Sequence, residues 1–116
     1  MNQEVNALFV GVDSTERFLI EEIIGQPMHS CTVHTYNKAR EVLQDKKFNI
    51  VFCEAEKKGL DAREVSNQLS AQQCIFVSSL DSDQERRKVL LAQKACYLTR
   101  PYSANDLFHA ISVASN

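Results

Sequence analysis

Short apolar runs alternate with helix-patterned stretches along the whole sequence, and this alternation constrains the fold more than any other feature. The first run, Ala7-Leu8-Phe9-Val10-Gly11-Val12, is continuous, as a strand covered on both faces requires. Asp13-Ser14 follows and can cap a helix. Leu19, Ile20, Ile23 and Ile24 make a helical stripe, with Glu21 and Glu22 on its other side. Gly25 ends it and Pro27 prevents its restart. Cys31-Thr32-Val33-His34-Thr35-Tyr36 alternates in polarity instead, which predicts a half-exposed strand at a sheet edge. Asn37 is the expected cap of a second helix, with Ala39, Val42 and Leu43 on one face.

Phe48 to Cys53 reads as another buried strand, running into a charged loop from Glu54 to Gly59. Asp61 can cap a third helix with Ala62, Val65 and Leu69 inward. Cys74-Ile75-Phe76-Val77 is the next apolar run and stops at Ser78-Ser79. Asp81 to Asp83 supplies caps for a fourth helix, about Gln84 to Lys94. Cys96-Tyr97-Leu98 is a short fifth strand ended by Arg100-Pro101. Ser103-Ala104-Asn105-Asp106 resembles a capping box, with Asp in place of the usual Glu. Ala104, Leu107, Phe108 and Ile111 then follow helical spacing.

Five strands alternating with five helices predict an α/β fold, a doubly wound parallel sheet with helices on both faces. The 116 residues suit one domain, spanning 1–116. Thirteen basic and fifteen acidic residues leave a net charge of −2, so a nucleic-acid surface is not expected. No apolar run is long enough to span a bilayer, and the N-terminus has no secretory pattern, so a cytoplasmic location is expected. Cys31, Cys53, Cys74 and Cys96 form no CxxC and each lies in or beside a strand, which reads as four reduced thiols. His29, His34 and His109 show no metal-ligand spacing, and no Gly-rich phosphate loop is present.

In an open sheet of this kind ligands bind beyond the carboxyl ends of the strands. Those ends hold Gly11, Val12 and Asp13, then Glu54 and Glu56, then Ser78, then Arg100. An arginine facing a glutamate and a hydroxyl predicts a charge-assisted hydrogen-bond cluster. Phe48 to Glu54, followed by Gly59-Leu60-Asp61, resembles the phosphorylation strand and loop of a response-regulator receiver domain, the signalling module of two-component systems. Ser78 resembles that family's Thr/Ser switch position. Tyr97-Leu98-Thr99-Arg100-Pro101-Tyr102 resembles its signature of aromatic, two residues, Lys, Pro, aromatic. The joint spacing carries the resemblance, from about Ala7 to Val113. It implies a flavodoxin-like sheet with strand order 2-1-3-4-5.

Against that family the chain departs in its acid chemistry. Receivers accept a phosphoryl group on an aspartate where this chain has Glu54, and hold Mg²⁺ with an acidic pair ending the first strand. Aligning Arg17 with the arginine common in the first helix puts Gly11 and Val12 at that pair; a shifted register offers Asp13 and Ser14. The family's lysine is Arg100, and the glycine common before the fifth strand is Gln93. Gly11 and Val12 bring no oxygen, so Mg²⁺ binding is expected weak or absent and no cofactor is expected. The extra methylene of Glu54 moves its carboxylate by roughly 1 Å, a displacement that can cost roughly a hundredfold in rate.

The resemblance then implies a degenerate receiver that is not an enzyme. Glu54 would be a fixed charge paired to Arg100 within reach of Ser78, with Tyr97 reporting the cluster's state. Partners would be proteins: an output domain, a cognate kinase or another regulator, with a transcription regulator as the favoured parent and a hybrid kinase as the alternative. A homodimer face would lie on the fourth helix, fifth strand and fifth helix, where Arg86, Arg87, Lys88 and Leu91 fall. The chain could equally be an isolated receiver or the N-terminal domain of a longer regulator. Two other functions stay open: a working phosphoacceptor with unconventional chemistry, and a flavodoxin-like binder using Ser14-Thr15. Simpler readings stand beside each residue: a solvated Glu54, a packing Tyr97, serines that satisfy loop backbone, and a Gly11 that permits close approach.

Overall fold

The structure is a computed structural model and describes residues 5–45, 48–55, 74–79 and 95–114. Eight elements are described: β1 (Val5–Val10), α1 (Ser14–Ile24), β2 (Met28–Val33), α2 (Tyr36–Asp45), β3 (Ile50–Glu54), β4 (Cys74–Ser78), β5 (Ala95–Thr99) and α3 (Ala104–Ala114). The five strands form one sheet in the order β2-β1-β3-β4-β5, and every pairing is parallel. The helices expected after Asp61 and Asp81 lie outside the described residues.

Strand period decides how the core divides. Successive β1 side chains point to opposite faces, so Leu8 and Val10 join one cluster, while Ala7 and Phe9 join the other. The first cluster packs under α2, through Ala39, Val42 and Leu43. The second packs under α1 and α3, through Ile20, Leu107 and Ala110. Both faces of the central strands are therefore covered, which explains why β1, β3 and β4 read as continuous apolar runs. Phe9 and Phe52 are register partners on the second face and stack with centroids 5.0 Å apart.

The ends of the elements are set by a few local devices. Gly11 adopts φ 74°, which stops β1 at Val10, two residues short of the apolar run. Its N–H still reaches Val33 O at 2.8 Å, so the turn stays tied to β2. Asp13 caps α1 by accepting from Glu16 N, and Gly25 closes it in the left-handed conformation. The second helix begins one residue before the expected Asn37: the Thr35 hydroxyl accepts from Lys38 N at 3.1 Å, and Tyr36 becomes helical. The second strand is correspondingly shifted toward the N-terminus, to Met28–Val33. It lies at the sheet edge, and two side-chain bonds tie it to α1: Arg17 Nη1 donates to Thr32 Oγ1 and Ser30 Oγ donates to Glu21 Oε1. Ser103 and Asp106 form the reciprocal capping box that opens α3.

Candidate functional site

Parallel register brings the carboxyl ends of β1, β3, β4 and β5 to one edge of the sheet. Glu54 ends β3 and Ser78 ends β4. The ladders continue one residue beyond the strands. Ala55 N donates to Val77 O at 2.9 Å, and Arg100 N donates to Ser78 O at 2.7 Å. These bonds fix the backbone at Arg100 and next to Glu54, so their side chains leave the sheet edge from anchored points. The Arg100–Pro101 peptide is cis.

Arg100 uses all its donors. A guanidinium has five N–H bonds in a planar fork. Nε and Nη2 grip Glu16, at 3.0 Å to Oε2 and 2.6 Å to Oε1. Nη1 and Nη2 grip Glu54, at 3.2 Å to Oε2 and 2.8 Å to Oε1. The fifth bond runs from Nη1 to Ser79 Oγ at 3.0 Å. Tyr102 then donates its hydroxyl to Glu16 Oε2 at 2.7 Å. Two bidentate carboxylates on one guanidinium are charge-assisted contacts of the strong kind. The cluster is largely withdrawn from water, with side-chain exposures of 24% for Arg100, 13% for Glu16 and 20% for Glu54.

Electrostatics follow from that geometry. The hydrogen bonds of Glu16 push Arg100 above its ordinary value; burial opposes this and Glu54 adds to it. Burial, then the bond to Glu16, pushes the Tyr102 phenol up as well. On the core side of Glu54, burial and the glutamate's charge push the Cys53 thiol up to about 12. Arg100 thus stays a cation, Tyr102 a neutral donor and Cys53 an inert thiol.

The residues named from sequence fall in different places. Glu54 and Arg100 meet directly. Ser78 is fully buried and contributes its carbonyl to Arg100 N, while the hydroxyl on the guanidinium is that of Ser79. Tyr97 lies half-buried on β5, packed against the cluster beneath α2. It also lines an open groove of about 300 Å³ with Thr99, Asp106 and His109. Gly11 occupies the turn after β1, Val12 is fully buried in the second core cluster, and Asp13 is spent on the α1 cap. Ser14 and Thr15 are exposed.

Glu16 and Tyr102 are not among the strand-end residues expected to form this cluster, and Ser79 supplies the hydroxyl expected of its neighbour Ser78. A signal for Glu16 existed. Asp13-Ser14-Thr15-Glu16 has capping-box spacing, which places Glu16 in the first helical turn, at the strand ends. The helix start also favours a negative side chain there.

No family model matches the sequence, and no curated protein matches it. Solved structures do. The receiver domain protein of a response regulator from Methanospirillum hungatei superimposes with TM-score 0.77 at 16% identity, over 95% of this chain and 92% of that one. The receiver domain of a Francisella response regulator gives 0.76 at 16% identity, over 96% of each chain. A DNA-binding response regulator of the LuxR family from Staphylococcus aureus gives 0.76 at 15% identity, over 97% of this chain and 99% of that one.

Proposed function

This chain has the fold of response-regulator receiver domains, and we propose that it is an atypical one, a signalling and protein-interaction module that works without Mg²⁺-dependent aspartyl phosphorylation. The observation that carries the reading is the Arg100 guanidinium, which occupies both carboxylates at the strand ends, Glu16 and Glu54, through two bonds each.

The residues present do not fit the metal that this fold family uses. Mg²⁺ needs octahedral oxygen ligation with one or two carboxylates. Gly11 has no side chain, Val12 faces the core, Asp13 caps α1, and Glu16 and Glu54 are paired to Arg100. Among the described residues no group of three acidic, His or Cys side chains is placed to hold a metal. Glu54 on this reading is a fixed charge at the phosphoacceptor position, neutralised from within.

Signalling then passes by contact. The module spans 1–116 and regulates an attached or separate output, with a cognate kinase or another regulator as partner. Transcription is the output favoured by likeness, since one structural neighbour is a DNA-binding response regulator. The face of β5 and α3, with Tyr97, the exposed Phe108 and Val113, and the preceding segment holding Arg86, Arg87, Lys88 and Leu91, is the proposed surface for self-association. Among the described residues no helix is long and apolar enough to cross a membrane; a cytoplasmic location is part of the proposal.

Amide NMR spectra recorded while Mg²⁺ and then beryllofluoride are added test the reading. The expected result is no saturable shift at Gly11, Glu54 or Ser78. Saturable shifts at those amides, spreading to Tyr97, would show a working phosphoryl site and overturn it.

A further inference from the structure

Two carboxylates converge on a single nitrogen in this cluster. Arg100 Nη2 lies 2.6 Å from Glu16 and 2.8 Å from Glu54. Carboxylates that close disfavour each other's charge unless a cation lies between them. In metal-dependent sites that cation is a diffusible divalent ion. Here it is covalently part of the chain.

Resting on the metal-independent reading above, we infer that Arg100 is the site's built-in cation, a fixed positive charge held between Glu16 and Glu54, and that Glu16 is the positioning residue that holds it there. The two edges of the guanidinium carry this division of labour. The Nη1/Nη2 edge faces Glu54 and Ser79; the Nε/Nη2 edge faces Glu16. Nε donates to Glu16 alone. Without Glu16 the guanidinium keeps one edge on Glu54 and is free to turn about it. With Glu16 in place it is fixed on both edges and ties the first turn of α1 to the ends of β3, β4 and β5.

Tyr102 supports the same arrangement from behind, because its hydroxyl bonds Glu16 Oε2, the oxygen that accepts from Nε. A lysine could not reproduce it. Its three donors radiate from one nitrogen and can give at most one bond to each of the two carboxylates and the hydroxyl, where the guanidinium gives two to each carboxylate. Arg100 and Glu16 therefore belong together, and the arginine is more than an exchange of one cation for another.

Two measurements test this on the intact chain. The first follows the Arg100 Nε–H resonance in ¹⁵N NMR. In Glu16→Ala its exchange with water should accelerate by about tenfold or more, the effect of losing one charge-assisted bond. In Glu54→Ala it should stay protected. Glu16→Gln is the milder variant and should move in the same direction as Glu16→Ala. Unchanged protection in both Glu16 variants would overturn the positioning role.

The second measurement adds Mn²⁺, an oxygen-seeking paramagnetic probe, to the wild type and to Arg100→Ala. The variant should gain saturable line broadening at the amides of Glu16 and Glu54, and adding Glu16→Ala should abolish it. Broadening at those amides in the wild type would refute the metal-independent reading itself. A silent wild type with an equally silent, folded Arg100→Ala would refute the built-in cation alone. If Arg100→Ala does not fold, the Nε–H exchange decides.

Discussion

Replacing Arg100 with methionine keeps most of the side chain's length and removes all five of its donors. The variant leaves Glu16 and Glu54 facing each other with no cation between them. Deleting one partner of a buried ion pair costs about 3–5 kcal/mol. These side chains are 13–24% exposed, so entering water relieves part of that penalty, and a loss of about 2–4 kcal/mol is expected near pH 7. This is a large share of the roughly 5–15 kcal/mol that holds a small domain together. The chain has no tryptophan, so urea unfolding followed by far-UV circular dichroism at pH 7 is the suitable assay. A loss below about 0.5 kcal/mol, the size of an ordinary surface ion pair, would refute the reasoning.

The remaining predictions concern the core and the elements' ends. Cys53, pushed up to about 12 from an unfolded value of 9.0, keeps its proton in the native state after the unfolded chain has lost it. Its contribution is intact below pH 9 and drains away between pH 9 and 12, by roughly 2 kcal/mol at pH 10.5, which alkaline urea titrations will register. In the native protein at pH 8, iodoacetamide should modify the half-exposed Cys31 well before the buried Cys53 and Cys74, as peptide mapping will show; equal rates would contradict the burial. Gly25→Ala meets ordinary van der Waals space, nearest Glu22 O at 3.8 Å, but must hold φ 66°. It should cost about 1 kcal/mol from backbone strain alone, measured by the urea midpoint. Phe52→Ala removes a fully buried ring stacked on Phe9 and should cost about 3–5 kcal/mol, with the unfolding slope unchanged.

The architecture was legible because its determinants are local or periodic. β1, β3 and β4 are buried on both faces, so their apolar runs stand out without any knowledge of the partner strand. The polarity alternation from Cys31 onward marked β2 as an edge, and it is one. Boundaries were legible only where a cap forces them, as Asp13 and Gly25 do for α1. They drifted where two residues compete. Thr35 and Tyr36 both favour strand by propensity, yet the Thr35 hydroxyl caps α2 and draws Tyr36 into the helix. Gly11 is invisible as a strand terminator until its positive φ is seen, because a glycine inside an apolar run reads equally well as a close-approach residue.

The site divides along the same line, and the division explains why half of it was missed. Strand ends can be read from sequence, so Glu54 and Arg100 could be placed on one edge and expected to pair. Glu16 could not be reached that way. Its carboxylate meets a guanidinium 84 positions later, and nothing in the local pattern of α1 distinguishes an acid that stabilises a helix start from one that clamps a cation. Ser78 and Ser79 show the same ambiguity at closer range. They are adjacent and chemically identical, and only the strand's pleat decides that Ser78 is buried while Ser79 reaches the guanidinium. From sequence, Gly11 and Val12 show only that the end of β1 offers no acid there. The structure brings the acid in from the helix, at Glu16, and a fixed cation from just beyond β5, at Arg100. Two carboxylates held this close need a counter-charge between them. The residue best able to hold two carboxylates at once is arginine.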